Sequence, residues 1–266
     1  MTRDPAAPIG IFDSGLGGLT VAAAVRKLLP AEQIVYLGDT ARVPYGTRSP
    51  ETVQRFALEN ARFLRKHNIK LLVAACNTVS SVALETLRQA VPEIPVIGVI
   101  HSGVRAAIRS NARSVTVIGT RGTIRSGAYE RALKEADPGL QVNAIACPLL
   151  VPLAEEGILT GPAVKEILHL YLAPLRETPP DALLPGCTHY PLFRAALQEY
   201  LPACTQILDC AGACAGEVQE LLAEHGMPAH GTGGLRCYVT DSPPGFEEQA
   251  RRFLGYAPES VEPATL

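Results

Sequence analysis

The chain has 266 residues, of which 47% are hydrophobic and 19% charged, with a formal net charge of −2 and no tryptophan. That length accommodates two modest α/β domains or one large one. The near-neutral balance, with no basic block interleaved with aromatics, argues against nucleic acid or an anionic membrane as partner. The opening residues carry Arg3 and Asp4, then Pro5 and Pro8, with no apolar segment, so no signal peptide is expected. No apolar run reaches the roughly eighteen residues of a membrane-spanning helix. Seven cysteines without an export signal point to reduced thiols and a cytoplasmic location.

Short apolar runs alternate with helix-length amphipathic stretches throughout. In chain order, strands are predicted at Pro8–Phe12, Ile34–Gly38, Lys70–Ala75, Pro95–Ile100, Ser114–Gly119, Gln141–Ala146, Ala182–Pro185, Gln206–Asp209 and Arg236–Thr240. Each is bounded by Gly, Pro or polar residues and is too short for a buried helix. Ser49 as N-cap, Pro50 at the first helical position and Glu51 in the first turn open a helix with an apolar stripe of Val53, Phe56, Ala57, Phe63 and Leu64. A second helix is predicted from Thr78 to Ala90, with Val79, Val82, Ala83 and Leu87 on one face and Pro92 as its stop. This alternation predicts an α/β fold of mostly parallel sheets covered by helices.

Two strand-to-helix junctions look alike. Leu71 to Ala75 runs into Cys76-Asn77-Thr78, and Ala182 to Gly186 runs into Cys187-Thr188-His189. Each is an apolar strand, a small residue, a cysteine, hydroxyl or amide side chains, then a predicted helix. Ligands of open α/β sheets bind at the carboxyl ends of strands. Two such junctions predict two similar lobes, each offering one thiol to a shared cleft. A cysteine at a helix start is expected to favour the thiolate. Two thiols on opposite faces of one carbon could invert it, one removing a proton while the other delivers one. The plain alternative for either cysteine alone is a small buried hydrophobe.

The Asp13-Ser14-Gly15-Leu16-Gly17-Gly18-Leu19-Thr20 segment follows the first strand. It is not a dinucleotide fingerprint, because Thr20 stands where the last glycine would be, and it lacks the phosphate-loop Gly-Lys-Ser/Thr ending. A tight strand–helix turn and a carboxylate-binding loop are both open readings, with Asp13 placed to orient or deprotonate a neighbour. Asp39, in the Gly38-to-Gly46 loop, reads by itself as a turn-capping aspartate. Cys204, Cys210 and Cys214 fit no standard zinc spacing, and His67, His169, His225 and His230 form no metal pattern.

These segments together resemble the bacterial glutamate racemases of the aspartate/glutamate racemase family. The resemblance rests on Asp13 to Thr20, Gly38-Asp39-Thr40 with Pro44-Tyr45-Gly46, Ala75 to Thr78, and Gly186 to Leu192. Ile118-Gly119-Thr120, Ser126-Gly127-Ala128-Tyr129 and Cys147 to Pro152 extend it over nearly the whole chain. It implies cofactor-independent interconversion of L- and D-glutamate by Cys76 and Cys187, with Asp13 assisting the first and His189 the second, and no metal. It also implies substrate contacts from Asp13, Ser14, Tyr45, Gly46, Asn77, Thr78, Thr188 and His189, with Asp39 and Glu155 auxiliary. The lobes it implies are 1–99 with 208–266, and 100–207, in a homodimer that supplies D-glutamate for peptidoglycan synthesis. The motifs offer hydroxyls, amides and helix N-termini rather than an arginine clamp, so preorganised dipoles are expected to stabilise the transition state. The chain departs from the family at His101, where an acidic or apolar residue is usual, at Pro185, where an aliphatic one is, and at Cys210, where serine is. An aspartate or broad-specificity racemase is the nearest alternative. A thiol-redox or metal-binding protein and a non-catalytic amino-acid-binding module are the others.

Overall fold

A computed structural model describes residues 4–242 and 245–266. Arg3, part of the N-terminal reading above, lies outside them. All strand pairings among the described residues are parallel, in two sheets.

The first sheet starts with β1 (Ile9–Asp13), α1 (Leu19–Leu28) and β2 (Gln33–Gly38). It continues through α2 (Pro50–Arg65), β3 (Leu71–Ala74), α3 (Asn77–Val82), α4 (Leu84–Ala90) and β4 (Val96–Gly98). Helix α5 (Val99–Arg109) leads to β5 (Ser114–Gly119), α6 (Arg121–Arg125), α7 (Ala128–Ala136) and β6 (Gln141–Ala146). Then come α8 (Leu150–Glu155), α9 (Pro162–Leu172), α10 (Pro174–Glu177), β7 (Ala182–Gly186), α11 (Arg194–Tyr200) and β8 (Gln206–Ile207). The chain returns through α12 (Cys210–Glu224), and β9 (Gly234–Val239), α13 (Phe246–Leu254) and β10 (Val261–Pro263) complete it.

The sheet orders are β10-β9-β2-β1-β3-β4 and β6-β5-β7-β8. Without β9 and β10, both sheets run second-first-third-fourth. That shared winding is what makes the two lobes similar. Strands such as β1, β3 and β7 are buried at every residue, because helices cover both sheet faces. One apolar core fills the space between the sheets, with Ile11, Tyr36 and Val73 from the first and Leu183 from the second, together with Leu168 and Phe253 from helices. Separate cores cover the outer faces, one around Phe12, Phe56 and Leu72, the other around Val117, Leu133 and Leu184.

Local chemistry explains several boundaries. Ser49 caps α2 by accepting from the Thr52 amide, with Pro50 at the first position, as the sequence predicts. The predicted Thr78–Ala90 helix is instead two. Ala83 leaves helical geometry (φ −123°, ψ −2°) between α3 and α4. The Ser81 hydroxyl donates to the Thr78 carbonyl and that of Ser80 to Ala74, so two serines compete for backbone groups there. Val99 and Ile100, predicted as strand, open α5, while β10 lies where no strand is predicted. Pro185 sits beyond the β7–β8 pairing, which ends at Leu183–Ile207, so its missing N–H breaks no ladder on that side.

The registers level the carboxyl ends. Asp13 lies beside Gly38, Phe12 beside Ala74, and Gly119 beside both Ala146 and Gly186. The segments carrying Ser14, Asp39 and Cys76 therefore leave one sheet together, and those carrying Thr120, Cys147 and Cys187 leave the other.

Candidate active site

Cys76 follows β3 directly and is the N-cap residue of α3, buried at 6% exposure. Its thiol donates to the Ser14 hydroxyl at 3.7 Å. Burial pushes this thiol up to about 12, and the carboxylate of Asp13 adds to the rise. The expected preference for thiolate at a helix start is thus overturned for Cys76. Desolvation outweighs the amide donors of a six-residue helix. Asp13 itself is fully buried; it accepts from the Gly15 amide at 3.0 Å and from the Thr188 hydroxyl at 3.3 Å. Burial raises its carboxyl above the usual range, while the charge of His189 pulls the other way.

Cys187 follows β7 and is also 6% exposed. No α-helix starts beside it. A 3-10 turn at Tyr190–Phe193 comes first, and α11 begins only at Arg194. Its partner is His189, whose Nδ1 lies 3.8 Å from the Cys187 sulfur and whose Nε2 lies 3.1 Å from Glu155 Oε1. Burial disfavours a charged imidazole, but the hydrogen bonds to Cys187 and Glu155 win and hold His189 up to about 10. In its protonated form the ring can donate from both nitrogens, to the Cys187 sulfur and to Glu155. The ring of Phe253 packs against it in a T-shaped arrangement, with centroids 5.1 Å apart.

The glycine-rich loop lets the lobes meet. A Cβ on Gly17 would fall 2.2 Å from the Thr188 hydroxyl and 2.6 Å from His189 Nδ1. The Thr20 hydroxyl donates to the Thr188 carbonyl at 3.2 Å. The loop is thus a close-approach surface for the opposite lobe. Hydroxyls of Thr78, Thr120 and Thr123 form a second seam, 3.1 to 3.3 Å apart.

Between the lobes lies a cleft of about 330 Å³, room for a small molecule. Ser14, Tyr45, Gly46, Cys76, Asn77, Thr78, Glu155, Cys187, Thr188 and His189 line it, so ten of the twelve residues singled out in the sequence converge. Asp13 and Asp39 stand behind its wall. Asp39 accepts from Arg42 Nε at 2.6 Å, from the Thr240 hydroxyl at 2.9 Å, and from the hydroxyl of Tyr45. Burial and Asp39 raise the Tyr45 phenol, so it stays a donor committed to the wall. Whatever Tyr45 offers a ligand comes from its ring or main chain.

Sequence reasoning missed Thr120, Arg121, Pro148, Val151 and Pro152 in this lining. Thr120 carried a readable signal, the polar residue directly after a strand end. Arg121 also lines the cleft and brings a cation to it. Among the described residues no His, Cys, Asp or Glu group of three could hold a metal ion. Cys204 is exposed, Cys210 half-buried and Cys214 buried, and all seven cysteines are free thiols. His101 lies on the α5–α12 seam instead, its Nδ1 2.7 Å from Glu217 Oε1. No helix among the described residues is long and apolar enough to cross a membrane.

Two buried thiols, one from each lobe, thus line one small cleft. The Asp/Glu/Hydantoin racemase family model matches residues 19–218, and the chain belongs to that family. It is 49% identical to the glutamate racemase of Geobacter metallireducens over 250 residues, covering 93% of this chain and 92% of that one. The fold matches a Francisella tularensis glutamate racemase solved with D-glutamate, with a TM-score of 0.93 and 35% identity over 98% of each chain. A Bacillus anthracis glutamate racemase isoform matches with the same TM-score, 42% identity and 98% coverage of each chain.

Proposed function

We propose that this protein interconverts L- and D-glutamate with two thiols acting in turn as acid and base. The observation that carries the reading is that Cys76 and Cys187, from equivalent strand ends of two lobes, line one small cleft. Glutamate racemases 41% to 49% identical over nearly the full length support the substrate.

The proposed chemistry follows from the asymmetry of the site. The raised thiol of Cys76 starts with its proton, and charged His189 stands beside the sulfur of Cys187. In one direction the Cys187 sulfur takes the α-proton, the electron pair passes into the substrate carboxylate as an enediolate, and Cys76 delivers its proton to the far face. The reverse direction exchanges the roles. Asp13 serves the proton on the Cys76 side and His189, held by Glu155, that on the Cys187 side. Acid–base transfer contributes about 10²–10⁴-fold. The amides and hydroxyls of Ser14, Asn77, Thr78 and Thr188, with the cation of Arg121, would stabilise the negative charge.

The same reading takes the lobes as 1–99 with 208–266 and 100–207. It also places the enzyme in the cytoplasm as a homodimer supplying D-glutamate for peptidoglycan synthesis. Seven free thiols suit a reducing compartment.

The test is incubation of purified protein with each glutamate enantiomer in D₂O without added cofactor. Deuterium at Cα with loss of optical activity is expected. Retention of the α-proton would contradict the reading, and faster turnover of L-aspartate than of L-glutamate would redirect it to an aspartate racemase.

A further inference from the structure

The segment from Ser126 to Tyr129 carries part of the family resemblance, yet the chemistry above gives Tyr129 no task. It lies at the start of α7 in the second lobe and is 2% exposed. Its hydroxyl crosses the seam and donates to Oδ1 of Asn77 at 2.7 Å. Asn77 lines the cleft immediately after Cys76. The slot that holds the phenol depends on missing side chains. A Cβ on Gly186, the residue before Cys187, would come 3.0 Å from the Tyr129 ring, and one on Gly103 would come 3.0 Å from its hydroxyl.

This contact decides which end of the Asn77 amide faces the cleft. Burial raises the Tyr129 phenol well above its ordinary value, so the hydroxyl keeps its proton and needs an acceptor. Oδ1 supplies that acceptor. The two N–H donors of the Asn77 amide have no partner among the described residues and are free for a ligand. The flipped amide would strand the phenol proton in a buried site and turn a carbonyl oxygen toward an anion.

We propose that Tyr129 is a positioning residue that holds the Asn77 amide with its N–H donors toward a carboxylate of the substrate. The second lobe thereby sets a binding group on the first. The proposal rests on the reading of this cleft as a glutamate racemase site.

A double-mutant cycle on kcat/KM for glutamate tests it. Tyr129→Phe keeps the ring that fills the slot and is expected to lower kcat/KM about tenfold, mostly through KM. In an Asn77→Ala background the same change should have an effect below about twofold, because the group it positions is gone. Asn77→Asp still accepts from Tyr129 but offers no donor. It should lose as much activity as Asn77→Ala while melting close to the parent protein. Additive losses, an unchanged KM in Tyr129→Phe, or full activity in Asn77→Asp would overturn the proposal. The unmodified protein in the same assay separates the two readings. Absence of α-proton exchange there would remove the racemase assignment and this proposal with it, whereas exchange combined with additive losses would remove the Tyr129 role alone.

Discussion

Nε2 of His189 lies 3.1 Å from Oε1 of Glu155, and this contact helps keep a buried imidazole charged against its own desolvation. Cys187 also holds the imidazole up, but Glu155→Gln removes the carboxylate's charge, so the group should titrate below about 10 in the variant. The sign of the stability effect follows. A histidine raised on folding contributes fully below its unfolded value of about 6.5, and that contribution is lost as pH rises through about 10. Melting temperature in the parent should therefore decline across that window, and in the variant the decline should come at lower pH. kcat should drop on the order of tenfold or more. Superimposable pH–stability profiles would show that Glu155 does not hold the charge.

Asp13 is fully buried and raises the Cys76 thiol. Asp13→Asn removes a negative charge, so Cys76 should titrate below about 12, readable from ultraviolet thiolate absorbance against pH. Without the carboxylate to serve proton transfer, kcat should fall by about 10²–10⁴-fold. A full-rate variant would mean that Asp13 only braces the loop through Gly15 and Thr188.

Arg121 opens α6 at the cleft and is exposed. A cation there draws in an anionic amino acid. Arg121→Gln should lower kcat/KM by roughly three- to tenfold at low ionic strength, chiefly in KM, and flatten its dependence on salt. Parallel salt profiles for parent and variant would deny Arg121 that part.

On the opposite, amino-terminal edge of the first sheet, buried Lys70 sits 2.7 Å from Glu32. It also donates to the carbonyls of Pro5 at 2.6 Å and Met227 at 2.7 Å, tying the N-terminal segment to the return from α12. Lys70→Met leaves Glu32 buried without its counter-charge, which costs about 3–5 kcal/mol. Chemical denaturation should show that loss, and Glu32→Met combined with Lys70→Met should recover part of it. A loss under about 1 kcal/mol in the single variant would mean that Glu32 finds solvent or another donor.

What could be read in advance follows from where the physics is local. Parallel strands buried on both faces are short apolar runs, so β1 to β9 were visible even where their ends shifted. β10, with Glu262 and Pro263 in three residues, carries no such pattern. The break at Ala83 was hidden because Val79, Ala83 and Leu87 all stay buried, and the apolar stripe runs straight through it. In the site, Cys76 and Cys187 could be singled out because they directly follow strand ends, where such sheets bind ligands, whereas the parts given to Ser14, Asn77, Thr188 and His189 came from the resemblance. Val151 and Pro152 reach the cleft only through the placement of α8, which no local pattern encodes. The role of Glu155 came from resemblance alone for the same reason. The state of Cys76 depends on burial against Asp13, a tertiary fact that a helix-start argument cannot supply.

The most direct test of the central claim is a crystal structure of the protein with glutamate bound. The substrate Cα should lie between the sulfur atoms of Cys76 and Cys187, each within proton-transfer reach on opposite faces, with one substrate carboxylate on the Asn77 amide. A substrate whose Cα is approached by only one of those sulfurs would contradict it.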